Sequence, residues 1–443
     1  MPGSASIRST SIASGATALL AAVLAAASAP GAAAAAADFG APSPVTGLGA
    51  PAQSAFTSAA TGADGTTLLA GVQPAGTGRQ AFVAAGVAGA APSQVMPLGG
   101  AGVVTTEPVV AVDDAGHGAV VFALGKTVYM SRCARGRCSA PARVGTSSLL
   151  PQPALALQPG SGRITVLWRG RSRSGVSRLQ WRITTNGRLG AAHTLGELGD
   201  QPRIGTDATG KSVALWLGRG RTPGVRTAAR RVGELTRPTT LWPGRAALPR
   251  LVTGADGETI AAWVAAADLD VSTPSAQARV ATRTPDRGFS PSAPVGGPDT
   301  GALALAREPG GRAVLALDRQ LSPTLTVPQA AVRPPAGAFD TPQPLADPQF
   351  VPTPFGPVAA IDHRGAATVA WSSGSLPPGT APTPPPAGVF AARGLPGAAF
   401  GAPQPLSSGP AGATQQHPVL AAAGTRTLLA WTSPAGAFVA QAG

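Results

Sequence analysis

The sequence predicts an all-β protein, and three observations lead to that fold class. Glycine (58) and proline (46) together supply about 23% of the 443 residues, which leaves few uninterrupted windows for long helices. Apolar residues make up 44% of the chain, too many for a wholly disordered protein. A turn residue followed by a short apolar strand then recurs throughout residues 38–443. Together these features indicate a large protein built from short strands and tight turns.

Residues 1–37 have the order of a secretory signal peptide. Arg8 is the only charged residue in this segment, an apolar stretch follows at 16–27, and small residues lead into a terminal run of alanines. The apolar stretch is short for a membrane span, Pro30 interrupts the run of small residues that follows it, and alanine contributes little to membrane insertion, which argues against a retained anchor. We therefore expect cleavage near residue 37, no stable membrane span afterwards, and a protein that is secreted or associated with the cell envelope.

The chain has two cysteines, Cys133 and Cys138, separated by a turn that contains a glycine. In an exported protein such a pair predicts a disulfide across a hairpin, worth about 2 kcal/mol by loop entropy. Two thiols are too few for a typical four-ligand metal site. A redox site is the alternative, but the spacing is not Cys-x-x-Cys and no βαβ pattern surrounds it.

Eight repeated units fill residues 38–443. In each unit a turn residue is followed, six positions later, by an anchor position that holds tryptophan in five units. The turn and anchor pairs are Gly65 and Gly71, Gly116 and Phe122, Gly162 and Trp168, Gly210 and Trp216, Gly257 and Trp263, Gly311 and Leu317, Gly365 and Trp371, and Thr425 and Trp431. The units are spaced 46 to 60 residues apart. Repeats of about 40 to 50 residues are typical of β-propeller blades.

Each unit contains four short strands, of which the second is apolar on both faces. In the third unit, residues 164–168 are Ile, Thr, Val, Leu and Trp. A sheet with one face in water would alternate between apolar and polar residues, so this strand predicts a sheet packed between two neighbours. The recurrent tryptophan is then expected to pack between blades rather than to serve as a stacking platform for sugars.

The two ends of the repeat array predict how the ring closes. The last unit ends at Gly443, after its third strand, whereas residues 39–45 closely match the fourth-strand residues 400–406. The N-terminal strand is therefore expected to complete the last blade, which would remove the exposed sheet edges. The expected fold is a propeller of about eight four-stranded blades. Seven is the alternative, because the first unit lacks the tryptophan and the sixth has Leu317 instead.

The pattern Pro-x-x-Ala-x-Asp-x-x-Gly, followed by tryptophan, resembles secreted bacterial β-propeller repeat proteins over residues 38–443. This resemblance, of the sialidase-like or WD-repeat-like kind, implies the fold and no particular activity. The sialidase Asp-box places tryptophan two residues after glycine, whereas here it follows by six. Sialidases also use a tyrosine nucleophile with a carboxylate partner, and Tyr129, the single tyrosine, has no carboxylate motif beside it.

Chemistry-bearing residues do not form a readable catalytic or metal-binding motif. Aspartates recur before the first hairpin of several units, and we interpret them as turn-forming residues rather than calcium ligands: Asp64, Asp113, Asp207, Asp256 and Asp362. The four histidines are far apart, and neither His-x-His nor His-Glu-x-x-His occurs. We therefore predict no metal and no cofactor, although a catalytic triad could still assemble in space.

The positive charge is concentrated in one sector of the ring. The whole chain carries +14, and residues 132–250 hold 20 arginines and one lysine against four acidic residues, a net +17. Two loops of adjacent units follow Trp168 and Trp216 and contribute the candidate anion-binding residues Arg169, Arg171, Arg173, Arg219 and Arg221. Guanidinium clusters suit carboxylate, sulfate or phosphate ligands. The alternative is a coding bias towards arginine in solvated loops.

A Pro-rich insert at 372–386 is predicted to form an extended excursion between the second and third strands of blade seven. The sequence favours an exported, noncatalytic and monomeric binding or scaffold module. Its expected partner is an anionic polysaccharide or cell-envelope polymer, and a nucleic acid is not expected. The alternative is a glycan-active enzyme, a sialidase-like hydrolase or polysaccharide lyase, with its site in the central cleft. A structural ring without a small ligand is the third possibility.

Overall fold

The computed structural model describes residues 38–443 apart from 49–52, 88–89, 91, 103, 148, 172–176, 186, 196–197, 220–222, 232–233, 236, 267–275, 323–324, 351–355, 375–386 and 408–417. The described residues form eight antiparallel sheets and no helix. The sheets are the blades of an eight-bladed β-propeller, so the predicted all-β propeller is confirmed and the seven-bladed alternative is wrong.

The first four blades follow one another along the chain. Blade one contains β2–β5, which span Ala55–Thr61, Thr67–Ala75, Gly78–Gly86 and Gln94–Gly102. Blade two contains β6–β10, which span Val104–Val112, His117–Leu124, Thr127–Ala134, Arg137–Cys138 and Ala142–Thr146. Blade three contains β11–β15, which span Ala154–Gln158, Arg163–Arg171, Ser177–Thr185, Arg188–Leu189 and His193–Thr194. Blade four contains β16–β20, which span Gly199–Thr206, Ser212–Gly218, Gly224–Arg231, Glu234–Leu235 and Thr239–Trp242.

The other four blades continue the same order. Blade five contains β21–β24, which span Ala246–Thr253, Thr259–Ala265, Gln277–Arg283 and Ala293–Pro298. Blade six contains β25–β29, which span Thr300–Arg307, Ala313–Ser322, Leu325–Arg333, Gln343–Pro344 and Gln349–Phe350. Blade seven contains β30–β33, which span Val358–Ile361, Ala367–Ser373, Gly388–Gly394 and Gln404–Pro405. Blade eight contains β34–β36 and β1, which span Val419–Ala423, Arg426–Ser433, Gly436–Ala442 and Ser43–Pro44.

Each blade has four strand positions, counted from the centre of the ring outwards. In blades two, three, four and six the fourth position is divided into two short strands, and both of them pair with the third strand. The eight first strands contact one another in sequence around the ring, from β2 through β34 and back to β2, and they surround a central channel. The second strands end and the third strands begin on one side, the loop face. The turns between first and second strands lie on the other side, the turn face.

The N-terminal strand closes the ring as predicted. Ser43 lies opposite Val439 and Pro44 lies opposite Phe438 in an antiparallel pairing of β1 with β36. The amide of Gly40 donates to the carbonyl of Gln441 at 2.9 Å and extends this ladder. The last blade therefore joins the two ends of residues 38–443, and the outer edge of β36 is covered.

The recurrent tryptophans pack between blades, which confirms their predicted role. Trp168, Trp216 and Trp263 are fully buried, and each lies in an apolar cluster with residues of the preceding blade. The packing is tight: a Cβ atom on Gly145 of blade two would lie only 2.6 Å from Cζ2 of Trp168. Any side chain at this glycine would therefore displace the indole ring.

Blades one and six form without the tryptophan because other side chains fill its volume. At Gly71 a Cβ atom would lie 2.7 Å from Cζ of Phe82, so the phenyl ring occupies the anchor volume. Phe82 is fully buried in a cluster with Val439 of blade eight, which precedes blade one in the ring. Leu317 likewise packs against Val264 of blade five. A change at one anchor position therefore does not remove a blade.

Local features predicted from the sequence are also present. The carboxylate of Asp113 accepts hydrogen bonds from the amides of Ala115 and His117 at 3.0 and 2.9 Å, which confirms its turn-forming role. Cys133 and Cys138 form a disulfide between β8 and β9. In the predicted insert 372–386, Ser372 and Ser373 belong to β31, and 375–386 lie outside the described residues, as does the predicted signal peptide 1–37.

Candidate functional site

The predicted arginine loops leave blades three and four at the loop face. Arg169 and Arg171 form the end of β12, and Arg219 directly follows β17. Both positions lead into second-to-third strand connections of adjacent blades, so they lie on the same face. The remaining two candidates, Arg173 and Arg221, lie outside the described residues.

A buried carboxylate joins the two loops. Asp200, near the start of β16, is 2% exposed, and its Oδ1 accepts a hydrogen bond from Nη1 of Arg169 at 2.6 Å. Its Oδ2 forms an ion pair with Nη2 of Arg219. One aspartate therefore holds guanidinium groups from blades three and four together. Sequence reasoning missed this pairing, because Asp200 lies 31 residues from Arg169 and in no motif with it.

The cluster of Arg169, Asp200 and Arg219 keeps an excess positive charge. Two guanidinium groups share one carboxylate, and the Arg219 side chain is 64% exposed, whereas that of Arg169 is 18% exposed. Arg171 is also exposed, and its carbonyl accepts a hydrogen bond from Nε2 of Gln180 at 3.2 Å. The exposed guanidinium groups of Arg171 and Arg219 face solvent and can form paired hydrogen bonds with an oxyanion.

Other arginines of the same sector lie on the turn face. Arg132, Arg137 and Arg188 line a cleft of about 620 Å³ between blades two and three, together with His117. Nη1 of Arg132 donates to the carbonyl of Gly187 at 3.3 Å and so links the two blades. The net charge of residues 132–250 is therefore divided between both faces of the ring. The sequence predicted the sector, but it could not assign each arginine to a face.

One carboxyl group on the loop-face side of blade six is chemically unusual. Asp318 follows the anchor Leu317 in β26, at the position that Arg169 occupies in blade three. Its side chain is buried, and burial raises the pKa of Asp318 to about 7. A carboxyl that holds its proton near neutral pH can act as a general acid. Sequence reasoning missed this residue because no motif surrounds it.

The other candidates for chemistry have structural surroundings. Tyr129 stacks on Phe122 with ring centroids 5.8 Å apart and packs against the core between blades one and two. In the part of the chain that the structure describes, no group of three or more His, Cys, Asp or Glu residues could hold a metal ion. The described strands and loops also include no helix with the length and hydrophobicity needed to cross a bilayer.

Comparison with solved structures finds similar chains at low sequence identity. A protein of unknown function from Dyadobacter fermentans is 13% identical, with 92% of this chain and 99% of that chain covered and a TM-score of 0.45. The polysaccharide lyase Uly1 is 9% identical, with 74% and 89% covered and a TM-score of 0.43. An ulvan lyase described as a new family of polysaccharide lyase is 12% identical, with 81% and 92% covered and a TM-score of 0.43.

No family model matches the sequence. No curated protein matches it either.

Proposed function

We propose that this protein is a noncatalytic binding propeller that recognises an anionic glycan or a similar polyanion through the loop face of blades three and four. The observation that carries the proposal is the position of Asp200 between Arg169 and Arg219, which brings cationic side chains of two blades together. A polymer with repeated carboxylate or sulfate groups could contact both blades at once. Several weak contacts on one chain would then add to a useful affinity.

The charge distribution adds support. Residues 132–250 carry a net +17, and the rest of the chain is close to neutral, so the sector of blades two to four attracts polyanions at long range. We place the protein outside the cytoplasm, because residues 1–37 have the order of a signal peptide and the chain forms a disulfide between Cys133 and Cys138. Acidic polysaccharides and cell-envelope polymers are the polyanions found there.

The proposal is tested by changing all five loop arginines to glutamine: Arg169, Arg171, Arg173, Arg219 and Arg221. Retention on immobilised polygalacturonate is measured as the salt concentration at elution. We expect elution at clearly lower salt than for the unmodified protein. The matched control changes five exposed arginines of the same sector outside these loops: Arg137, Arg143, Arg163, Arg188 and Arg237. Equal elution of the loop variant and the control would overturn the assignment to the loop face.

A second candidate function is supported by Asp318. The raised pKa of this buried carboxyl would suit a general acid in a glycan-active enzyme, a hydrolase or a lyase, with its site towards the channel. Incubation with acidic and neutral glycans followed by product analysis separates the two functions. Binding without products supports the binding module. Turnover that is lost in Asp318→Asn, while binding persists, supports the enzyme.

A further inference from the structure

The innermost strands carry two arginines at a position that is otherwise small or apolar. In each first strand, one residue lies opposite the residue that precedes the anchor of the second strand. The residues at this position, from blade one to blade eight, are Ser58, Val109, Ala154, Arg203, Arg250, Ala304, Val358 and Val419. Only blades four and five place a charge there, and these two blades are neighbours in the ring.

The two guanidinium groups converge on a single carbonyl oxygen. Nε of Arg203 donates to the carbonyl of Pro249 at 3.1 Å, and Nη1 of Arg250 donates to the same oxygen at 3.3 Å. Nη1 of Arg203 also donates to the carbonyl of Pro202 at 3.1 Å. These contacts leave further N–H donors on both side chains. Within the described residues, no carboxylate lies within ion-pair distance of either guanidinium.

The backbone fixes where the two side chains begin. Each arginine follows a proline, and each proline follows closely on a residue in the left-handed region, Gln201 with φ of 48° and Leu248 with φ of 52°. A bulge interrupts the pairing with the second strand at the same place in both blades. Bulges of this kind redirect a side chain, and here both of them precede an arginine on the wall of the channel.

The electrostatic environment of this pair favours an anion. Burial lowers the pKa of Arg203, and burial together with the charge of Arg203 lowers the pKa of Arg250 to about 10. An opposing charge comes from Glu107 in β6, which raises the pKa of Arg203. Glu107 belongs to blade two, which does not adjoin blade four, so its charge acts across the channel. Even with Glu107 included, the group retains one positive charge that a bound anion would neutralise.

We propose that Arg203 and Arg250 form an oxyanion site in the central channel, which binds one carboxylate or sulfate group of an acidic saccharide. This inference rests on the proposed function only in taking an acidic saccharide as the ligand. The channel site itself uses none of the loop arginines. A single negative group is favoured, because the pair and Glu107 together carry a net charge of +1. The loop face would hold the polymer by several weak contacts, whereas the channel would recognise an individual charged group.

The test measures binding of small ligands by calorimetry at low salt. The probes are trigalacturonate, a sulfated disaccharide of similar size and a neutral trisaccharide. We expect the unmodified protein to bind at least one acidic probe and not the neutral one, and the Arg203→Gln/Arg250→Gln variant to bind it at least tenfold more weakly. The relative affinities of the two acidic probes distinguish carboxylate from sulfate. The control Arg163→Gln/Arg245→Gln removes the same charge at exposed positions and should bind like the unmodified protein.

A third variant moves the affinity in the opposite direction. Glu107→Gln removes the opposing carboxylate and should strengthen binding of the acidic probe severalfold, a result that damage to the fold would not produce. If the double variant does not fold, Arg250→Gln replaces it, because Arg203 then keeps its bonds to Pro202 and Pro249. Equal affinities for the unmodified protein and the arginine variants, or no effect of Glu107→Gln, would overturn the channel site.

The same variants distinguish this proposal from the function on which it rests. On immobilised polygalacturonate, Arg203→Gln/Arg250→Gln should elute at nearly the same salt as the unmodified protein, since the loop arginines are intact. If the unmodified protein is not retained on the resin but binds the small acidic probe through Arg203 and Arg250, the loop-face function is contradicted and the channel site is supported. Retention on the resin without binding of any small acidic probe would support the loop-face function and overturn the channel site.

Discussion

The carboxylate of Glu258 in blade five accepts a hydrogen bond from Nη2 of Arg333 in blade six at 2.6 Å, across the boundary between the two sheets. Its other oxygen accepts from Nη2 of Arg307 at 3.1 Å. The two arginine side chains are 2 to 4% exposed, and Glu258 is 14% exposed. Glu258, Arg307 and Arg333 form an ion group that joins blades five and six on the turn face, where Glu258 follows the turn between β21 and β22.

Replacing Glu258 by glutamine should lower the free energy of unfolding by about 3 to 5 kcal/mol, because the buried guanidinium of Arg333 would lose its carboxylate and that of Arg307 would keep only the exposed Asp256. Urea unfolding at neutral pH measures the loss. Asp256→Asn is the control: this carboxylate also pairs with Arg307 at 2.6 Å but is 52% exposed, so its removal should cost about 1 kcal/mol or less. Equal losses for the two variants would contradict the importance of burial.

The same group predicts an acid-sensitive contribution to stability. Burial alone would raise the pKa of Glu258, but hydrogen bonds and charges from Arg333 and Arg307 outweigh it and lower the pKa. A lowered carboxyl pKa gives a contribution that is complete above the ordinary value of 4.5 and is lost as the pH falls through the folded value. Glu258→Gln should therefore flatten the stability curve below about pH 5. If Glu258→Gln leaves the pH dependence of the free energy of unfolding unchanged below about pH 5, the ion pairs of Glu258 do not stabilise the folded protein.

Ring closure depends on a contact that repeats between blades. The side chain of Gln404 in β33 accepts from the amide of Phe39 at 2.8 Å and donates to its carbonyl at 2.9 Å. Gln343 in β28 makes the same two bonds with the backbone of Phe400, at 3.0 and 3.3 Å. Blade seven therefore binds the N-terminal segment, which supplies the fourth strand of blade eight, through the same side-chain contact by which blade six binds the segment that leads into the fourth strand of blade seven.

Gln404→Ala should destabilise the protein by about 1 to 3 kcal/mol, since two part-buried backbone groups of Phe39 would lose their partner. It should also make the N-terminal segment more accessible to proteases, and limited proteolysis followed by N-terminal sequencing measures this. Gln343→Ala is the matched control, with a similar cost but no release of the N-terminus. Identical cleavage patterns for the two variants would contradict a specific role in closure.

The sequence predicted the features that repeat locally, and it missed the contacts between distant units. The anchors such as Trp168, the turn carboxylate of Asp113 and the matching ends of the chain recur with the blade period, so the ring and its closure could be inferred. The pair of Glu258 and Arg333 joins residues 75 positions apart in different blades, and no other unit has a glutamate at the position of Glu258. Such pairs depend on how neighbouring blades are rotated against each other.

The candidate site shows the same division. A run of arginines after Trp168 is visible in the sequence, but the buried position of Asp200 beside it requires the ring geometry. The convergence of Arg203 and Arg250 was also invisible, because both occur in an arginine-rich sector and only the register of β16 and β21 aligns them. Counting charges along the sequence therefore identified the basic sector at residues 132–250, but not which of its arginines lie together.

Asp200→Asn should strengthen binding to a polyanion. The change removes the carboxylate that neutralises Arg169 and Arg219, so both guanidinium groups become available at the loop face. We expect elution from immobilised polygalacturonate at higher salt, together with a lower melting temperature, because a buried ion group is broken. Asp207→Asn makes the same charge change in the turn between β16 and β17, on the opposite face. Equal shifts for the two variants would indicate a simple effect of net charge.

The buried carboxyl of Asp318 predicts a stability that decreases towards alkaline pH. Burial raises its pKa from 3.8 to about 7, so between these values the folded protein keeps a proton that the unfolded chain releases. This group therefore leaves the stability unaffected below about pH 4, lowers it as the pH rises from about 4 to 7, and adds no further loss above that range. The full cost corresponds to about 4 kcal/mol as an upper value, since each tenfold change in proton affinity is worth about 1.4 kcal/mol.

Asp318→Asn removes the ionisable group while keeping its shape, and it should raise the free energy of unfolding at pH 8 by as much as about 4 kcal/mol. At about pH 4 the variant and the unmodified protein should differ little, because the aspartate is then protonated in the folded state. Urea unfolding between about pH 4 and 8 measures the difference. The control Asp347→Asn changes an exposed aspartate of the same blade and should leave the curve unchanged. If the free energies of unfolding of Asp318→Asn and of the unmodified protein change in parallel with pH, Asp318 is already ionised at neutral pH. It could then not act as a proton donor.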